Sequence, residues 1–311
     1  MQLQNSGNES EDIFENVPLR EKTTYRIGGR ARFYAEPKTE RQILELLALA
    51  SERKLPVFVL GRGSNVLVSD KGWDGLVINL SRFSEMKFDG CTANVQGGVL
   101  LDSFVAEAVR NGCGGIEELS GIPGTVGGAV VMNAGAFSTC IADTFRSAKV
   151  LNITREEIAV LKSENMRFGY RDSAVKECGD IVLSATFEFS AVDSEKLFEI
   201  RKNILCRRKG KQPLEYPNCG SVFKRPPGNF AGTLIEMCGL KGYREGDVEI
   251  SPKHANFIVN RGEGHAEDVR RVVRHVQKTV HERFDVLLEP EVIFVGQFDE
   301  PLYTPFFKAG N

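Results

Sequence analysis

Three polar positions sit where their chemistry asks for an explanation. Arg171 lies in Phe168-Gly169-Tyr170-Arg171-Asp172-Ser173, a polar turn beside aromatics. A guanidinium fork there suits a carboxylate or phosphate. Ser221 follows Cys219-Gly220 and precedes the basic pair Lys224-Arg225. Glu289 and Glu291 flank Pro290 inside a largely apolar run, Leu288 to Val292. In a regular strand the two carboxylates would share one face. A carboxylate among apolar neighbours costs free energy unless it is paired or used. Each position also has a plain reading: a surface ion pair for Arg171, a turn residue for Ser221, a strand-edge charge for Glu291.

Two glycine-rich loops offer different chemistry, backbone N–H groups that could cradle an anion. The first is Gly61-Arg62-Gly63-Ser64-Asn65, between Leu55–Leu60 and Val66–Val68. It is not the Rossmann fingerprint, because a strand pattern follows it instead of a helix. The second runs Gly121-Ile122-Pro123-Gly124-Thr125-Val126-Gly127-Gly128 and lacks the Gly-Lys-Ser/Thr ending of a P-loop. No charged residue occurs from Leu119 to Ala142. The absence of Asp and Glu there suits a phosphate-bearing ligand, and glycine permits the close approach a pyrophosphate needs. That uncharged segment is too rich in Gly, Pro and polar residues to span a membrane. Tight turns in a glycine-rich fold are the bland alternative.

Other chemistries find little support. None of the four His (254, 265, 275, 281) has a local signature tying it to Ser221. No metal-ligand spacing occurs, so no metal is expected. Seven Cys form no CxxC pair and are odd in number, so free thiols in a reducing compartment are expected.

The elements that must position these groups can be read coarsely. Residues 1–22 read as a polar lead-in without the apolar stretch of a secretory signal. TTYRIGGRARFYAEP reads as strand, Gly turn, strand. Thr39 and Gln42 fit a capping box before a stripe of Ile43, Leu46, Leu47 and Ala50. Helices are expected at Leu101–Val109, from Ser194 to Gly210, at Gly232–Cys238 and along Val269, Val272, Val273, Val276 and Val280. Strands are expected near Leu76–Ile78, Ala93–Val95, Ala148–Leu151, Ile181–Phe189, Asn256–Asn260 and Glu291–Val295. Short irregular strands mixed with helices predict an α+β fold. The texture changes near the Ser194 helix. The chain therefore divides into the lead-in 1–22, a domain over 23–192, a smaller one over 193–298, and a tail over 299–311.

A chain of 311 residues is long enough for two domains. Its 40 Lys+Arg and 42 Asp+Glu give a net charge of -2, which excludes nucleic-acid binding through bulk charge. Neither a nucleic-acid nor a membrane partner is expected.

In order, TTYRIGG, VLGRGSNVLVSD, GIPGTVGGAVVMNAGA, FGYRDS, GSVFKRP, HANFIVN and LEPEV resemble the UDP-N-acetylenolpyruvoylglucosamine reductase (MurB) family, from about Thr23 to Gly296. The resemblance implies a PCMH-type (vanillyl-alcohol-oxidase-like) FAD-binding domain followed by a smaller α+β substrate domain. It implies non-covalent FAD held at Gly61, Arg62, Gly63, Ser64, Asn65, Gly121, Pro123, Gly124, Thr125, Gly127 and Gly128. It further implies NADPH as reductant, UDP-N-acetylglucosamine-enolpyruvate as substrate and UDP-N-acetylmuramate, a peptidoglycan precursor, as product. By the same resemblance, flavin N5 delivers hydride to the vinyl carbon, Ser221 donates the proton, and Arg171 and Glu291 meet the developing charge. Reductant and substrate using one site in turn would make the kinetics ping-pong. Tyr170, Lys224, Arg225 and His254 are the substrate-contact candidates.

The better-known branch has Phe-Lys-Asn-Pro where this chain has Phe223-Lys224-Arg225-Pro226, and a Gln where it has His254. The interval from Arg171 to Ser221 has no room for that branch's Tyr-bearing loop, so the chain resembles the loop-lacking second type. A monomer in the bacterial cytoplasm is the simplest expectation. Two rivals share parts of the pattern. An oxidase of the same fold would often keep covalent flavin after denaturation, and a binding protein without chemistry would purify colourless.

Overall fold

The structure is a computed structural model in which residues 13–304 are described. The stripe of Ile43, Leu46, Leu47 and Ala50 produces the helix Glu40–Glu52, with all four side chains buried. Its start is the expected capping box. Thr39 Oγ1 accepts the Gln42 N–H at 3.2 Å, and Gln42 Oε1 accepts the Thr39 N–H at 3.1 Å. Such a cap stabilises by about 1 kcal/mol.

The chain divides into two units. Among the described residues, the first comprises 13–17, Ala31–Arg62 and Asp74–Gly210. One of its sheets orders Phe14–Pro18, Arg30–Ala35, Trp73–Asn79 and Val57–Leu60, the last two parallel. The other orders Glu157–Lys162, Phe145–Asn152, Ile181–Glu188, Thr92–Gln96 and Met86–Asp89, antiparallel throughout. Phe104 and Phe187, ring centroids 4.9 Å apart, lie in the core that this second sheet shares with the helix Leu101–Arg110. The helix Glu40–Glu52 packs a separate core onto Leu76, Ile78, Leu151 and Leu183.

The second unit comprises Pro18–Arg30, Gly63–Trp73 and the chain from Lys211. Its sheet orders Asn218–Ser221, Phe257–Asn260, Val248–Ile250 and Arg244–Glu245. The helix Ala266–Phe284 buries Val269, Val272, Val273, Val276 and Val280. Full burial of each contributes about 1.5 kcal/mol or more. A parallel pair, Val66–Val68 with Ile293–Val295, completes this unit. Asp70, just beyond that pair, accepts the Ala266 and Glu267 N–H groups at 2.9 and 3.1 Å, a carboxylate cap on the long helix.

The mixture of helices and mainly antiparallel sheets is the expected α+β class. The division differs from the contiguous one read from the sequence. The helix Ser194–Lys211 belongs almost wholly to the first unit, while Pro18–Arg30 and Gly63–Trp73 belong to the second. Apolar pairing decides this: Tyr25, Ile27 and Leu67 are fully buried in the core of the second unit. The expected lead-in is also structured where described, with strand Phe14–Pro18 and a 3-10 turn that buries Leu19; residues 1–12 lie outside the described residues. Thr23–Ile27 is not a strand. In the expected tail, Asp299 N–H donates to Glu267 at 2.8 Å and Tyr303 N–H to Gln277 at 3.3 Å; 305–311 lie outside the described residues. No helix among the described residues is long and apolar enough to cross a membrane.

Candidate functional site

In the second unit Ser221 ends a distorted strand. Asn218 stands opposite Val259 and Ser221 opposite Phe257, with a register shift between them. Such a bulge re-aims the side chains that follow. Gly220 supplies it with φ of +80°, and its N–H donates to Asn218 Oδ1 at 2.9 Å. The next two residues are locked. Val222 N–H donates to Asn256 O at 2.9 Å. The Asn256 amide then exchanges two hydrogen bonds with the Phe223 backbone, at 3.0 and 2.9 Å.

Glu291 meets this element through its backbone, donating its N–H to Val222 O at 2.7 Å. Asn65 Nδ2 holds Glu291 O at 3.1 Å, and Ile293 N–H donates to Asn65 O at 3.0 Å. Asn65, Glu291 and Val222, the residue after Ser221, are therefore joined by hydrogen bonds within one unit. The regular strand expected from Glu291 is absent: the strand starts at Ile293, and before it only Pro290 pairs, with Phe223. Glu289 is exposed and ion-paired with Lys224, so Lys224 already has a carboxylate partner. Arg225 is exposed, 4.7 Å from the Phe230 ring centroid.

Two buried groups were not singled out by the sequence. Cys219 is fully buried, and burial, with the Glu291 charge adding, pushes its thiol up to about 12. Tyr25 is also fully buried, its hydroxyl without a partner among the described residues and its pKa raised, chiefly by burial. Asn256 escapes sequence reading too, although an Asn heading an apolar strand had to find backbone partners.

His254 is half-buried; its Nδ1 accepts the Asn256 N–H at 3.3 Å. Burial lowers its pKa, with Lys241 and Lys211 lowering it further and Glu236 opposing. In the window between that lowered value and the unfolded value near 6.5, the unfolded chain binds a proton that the folded chain does not. Stability therefore rises with pH across the window and is lost as pH falls through it. The melting temperature should fall between pH 7.5 and 5.5, and less steeply in His254→Gln. Parallel curves for the two proteins would remove His254 from the effect.

In the first unit Arg171 occupies a two-residue turn. Gly169 and Asp172 exchange backbone hydrogen bonds at 3.1 and 3.4 Å, and Arg171 has φ of +56°, uncommon for a side chain of this size. Its guanidinium lies 5.2 Å from the ring centroid of Tyr170, which is exposed, and donates to Gly135 O at 3.1 Å. Asn133 Nδ2 holds Gly169 O at 2.9 Å and Ser173 Oγ donates to Val131 O at 2.7 Å. The uncharged segment thus anchors the Arg171 turn.

The glycine loops divide by what their N–H groups do. Those of Gly63, Ser64 and Asn65 have no acceptor among the described residues, and neither have those of Gly124 and Thr125. A Cβ on Gly63 would stand 2.8 Å from Lys22 O and Thr23 Cα. The Thr23 hydroxyl beside it is buried and unpartnered. Free amides, an orphaned hydroxyl and a missing Cβ are what an anionic cofactor group would need. Gly61 abuts Thr125 closely enough to exclude a Cβ, and Arg62 is exposed.

The remaining glycines of the second loop serve packing. Gly127 N–H donates to Gly97 O at 2.8 Å and Gly128 N–H to Thr125 Oγ1 at 3.4 Å. Gly121 N–H donates to Asp102 Oδ1 at 2.7 Å, and a Cβ there would strike Leu205 and Arg208. Burial raises the pKa of Asp102, but the Arg201 fork at 2.7 and 2.9 Å and the Gly121 amide outweigh it and leave the pKa lowered. Gly121, Gly127 and Gly128 thus spend their N–H groups inside the protein.

Residues 31–161 match the family described as FAD binding domain, and residues 212–295 match the UDP-N-acetylenolpyruvoylglucosamine reductase, C-terminal domain. A UDP-N-acetylenolpyruvoylglucosamine reductase of Caldicellulosiruptor bescii is 46% identical over 307 residues, covering 98% of this chain and 96% of that one. The one from Desulforamulus reducens is 41% identical over 283 residues, covering 91% and 93%. The crystal structure of UDP-N-acetylenolpyruvylglucosamine reductase from Thermus caldophilus superposes with a TM-score of 0.79 at 35% identity, covering 92% of this chain and 99% of that one.

Proposed function

Because this chain belongs to the UDP-N-acetylenolpyruvoylglucosamine reductase family, we propose that it oxidises NADPH and reduces the enolpyruvyl group of UDP-N-acetylglucosamine-enolpyruvate to give UDP-N-acetylmuramate for peptidoglycan synthesis. It is an FAD-binding oxidoreductase. FAD, when bound, supplies hydride chemistry. The free amides of Gly63–Asn65 and of Gly124 and Thr125 are the groups that would hold its phosphates.

The observation that carries the reading is the bond from Glu291 N–H to Val222 O, which holds the Glu291 backbone beside the residue that follows Ser221. A vinyl carbon accepts hydride only if the attached carboxylate can take up enolate charge. Arg171 would supply a cation for that charge, and the Glu291 carboxyl group a hydrogen bond. Ser221 Oγ–H then gives its proton to the carbon next to the carboxylate. A serine hydroxyl is a weak acid, but a carbanionic centre is a strong base. Tyr170, Arg225 and His254 are the remaining substrate contacts in this reading. Lys224, paired with Glu289, keeps further ammonium donors for a substrate phosphate.

The test is anaerobic. NADPH should bleach the flavin band of the purified protein, and UDP-N-acetylglucosamine-enolpyruvate should restore it without oxygen. A band that returns only with oxygen would overturn the substrate assignment, and failure to bleach would overturn the reductant.

A further inference from the structure

The first unit holds a pair of thiols outside the proposed site. Cys91 sits in the turn after Met86–Asp89, and Cys113 opens the short strand Cys113–Gly114. One stretch of backbone carries both: Phe189 N–H donates to Cys91 O at 2.8 Å, and Ala191 pairs with Cys113. The Cys91 thiol adds to burial in raising the pKa of the neighbouring Cys113. Cys113 Sγ also lies 3.6 Å from Gly90 O, the residue before Cys91. Cys91 is half-exposed and Cys113 is buried.

We propose that Cys91 and Cys113 form a peroxide-driven intramolecular disulfide. The half-exposed Cys91 reacts first. Its sulfur takes one oxygen from a hydroperoxide, the O–O bond breaks, and the products are a sulfenic acid and an alcohol or water. The Cys113 sulfur then attacks the Cys91 sulfur. The S–S bond forms, the S–O bond breaks, and hydroxide leaves with the Cys113 proton as water. In total two thiols lose two electrons and the hydroperoxide gains them. Cys113 is buried and Cys91 is not, so Cys113 is the resolving partner and not the first target; burial also pushes the Cys113 thiol up to about 11.

The crosslink would close the segment that holds the second glycine loop in place. That segment carries Gly97, whose carbonyl receives Gly127 N–H, and Asp102, which receives Gly121 N–H. Closing a loop of about 20 residues removes chain entropy from the unfolded state. A rise in melting temperature of about 5–10 °C is expected.

The experiment uses the FAD-loaded protein with Cys178 and Cys206, both exposed, changed to Ser. After hydrogen peroxide and alkylation under denaturing conditions, two thiols should be lost and one peptide pair linked, Cys91 to Cys113. Dithiothreitol should reverse both the link and the gain in melting temperature. Cys91→Ser, at a half-exposed position, should fold and show neither effect, and Cys113→Ser should agree. Cys91 oxidised to the sulfinic acid with Cys113 still free would overturn the proposal. So would a link from either cysteine to any other.

Discussion

Ser221→Ala should leave NADPH reduction of the flavin within about twofold of wild type and slow flavin reoxidation by substrate about 10³-fold, in the range lost with a positioned proton donor. Ser221 owes its position to the backbone: the Gly220 turn, the Asn256 clamp on Phe223 and the bond from Glu291 N–H to Val222 O. None of these uses the serine hydroxyl, so alanine should leave the bulge in place and remove only the proton donor. Glu291→Gln keeps the same backbone bonds and should slow reoxidation about 10²-fold, because an amide can still donate a hydrogen bond but holds enolate charge less well. Stopped-flow absorbance of the two half-reactions, without oxygen, separates the effects. Equal slowing of both half-reactions would mean a damaged fold or cofactor site and would refute the assignment of Ser221 as proton donor.

Gly63→Ala should strip the protein of FAD. The residue has φ of +65°, and an added Cβ would press on Lys22 O and Thr23 Cα, both backbone atoms that cannot swing aside. Relief must come from moving the loop whose free amides are proposed to hold the cofactor. Strain of about 1–3 kcal/mol corresponds to roughly 10- to 100-fold weaker FAD binding. Gly179→Ala is the control. Gly179 also has positive φ, +71°, but ends the short helix Ala174–Cys178 with open space around it. It should cost some stability and keep its flavin. Titration of apoprotein with FAD, followed by fluorescence quenching, measures both. Full FAD affinity in Gly63→Ala would remove the Gly63–Asn65 amides from the cofactor site.

The residues proposed for the chemistry were legible because each breaks a local rule: a charged group in an apolar run, an arginine in a tight turn, glycines in succession. The capping box at Thr39 and the valine stripe of the last helix were legible for a related reason, since helix period and capping act within a few residues. The strand expected near Glu291–Val295 starts two residues later, at Ile293, because its pairing with Val66–Val68 is set by distant residues.

Within the glycine loops, sequence could say that backbone would be exposed but not to what. Gly63 and Gly121 both have positive φ, yet one presents a free N–H and the other satisfies Asp102. That choice depends on Arg201, far along the chain, whose fork holds the carboxylate in place. The assignment of Pro18–Arg30 and Gly63–Trp73 to the second unit likewise rests on Tyr25, Ile27 and Leu67 finding their apolar partners there. By itself, then, the sequence determined the α+β class, the long helices, the backbone freedom at the glycines and the identity of the groups available for chemistry. These follow from side-chain type and short-range geometry. Only the tertiary structure decided which amides stay free, that Glu291 bonds to Val222 beside Ser221, and that Cys113 lies against the turn that carries Cys91. Hydrogen bonding and burial between distant residues satisfy a whole core at once, and no local period encodes them.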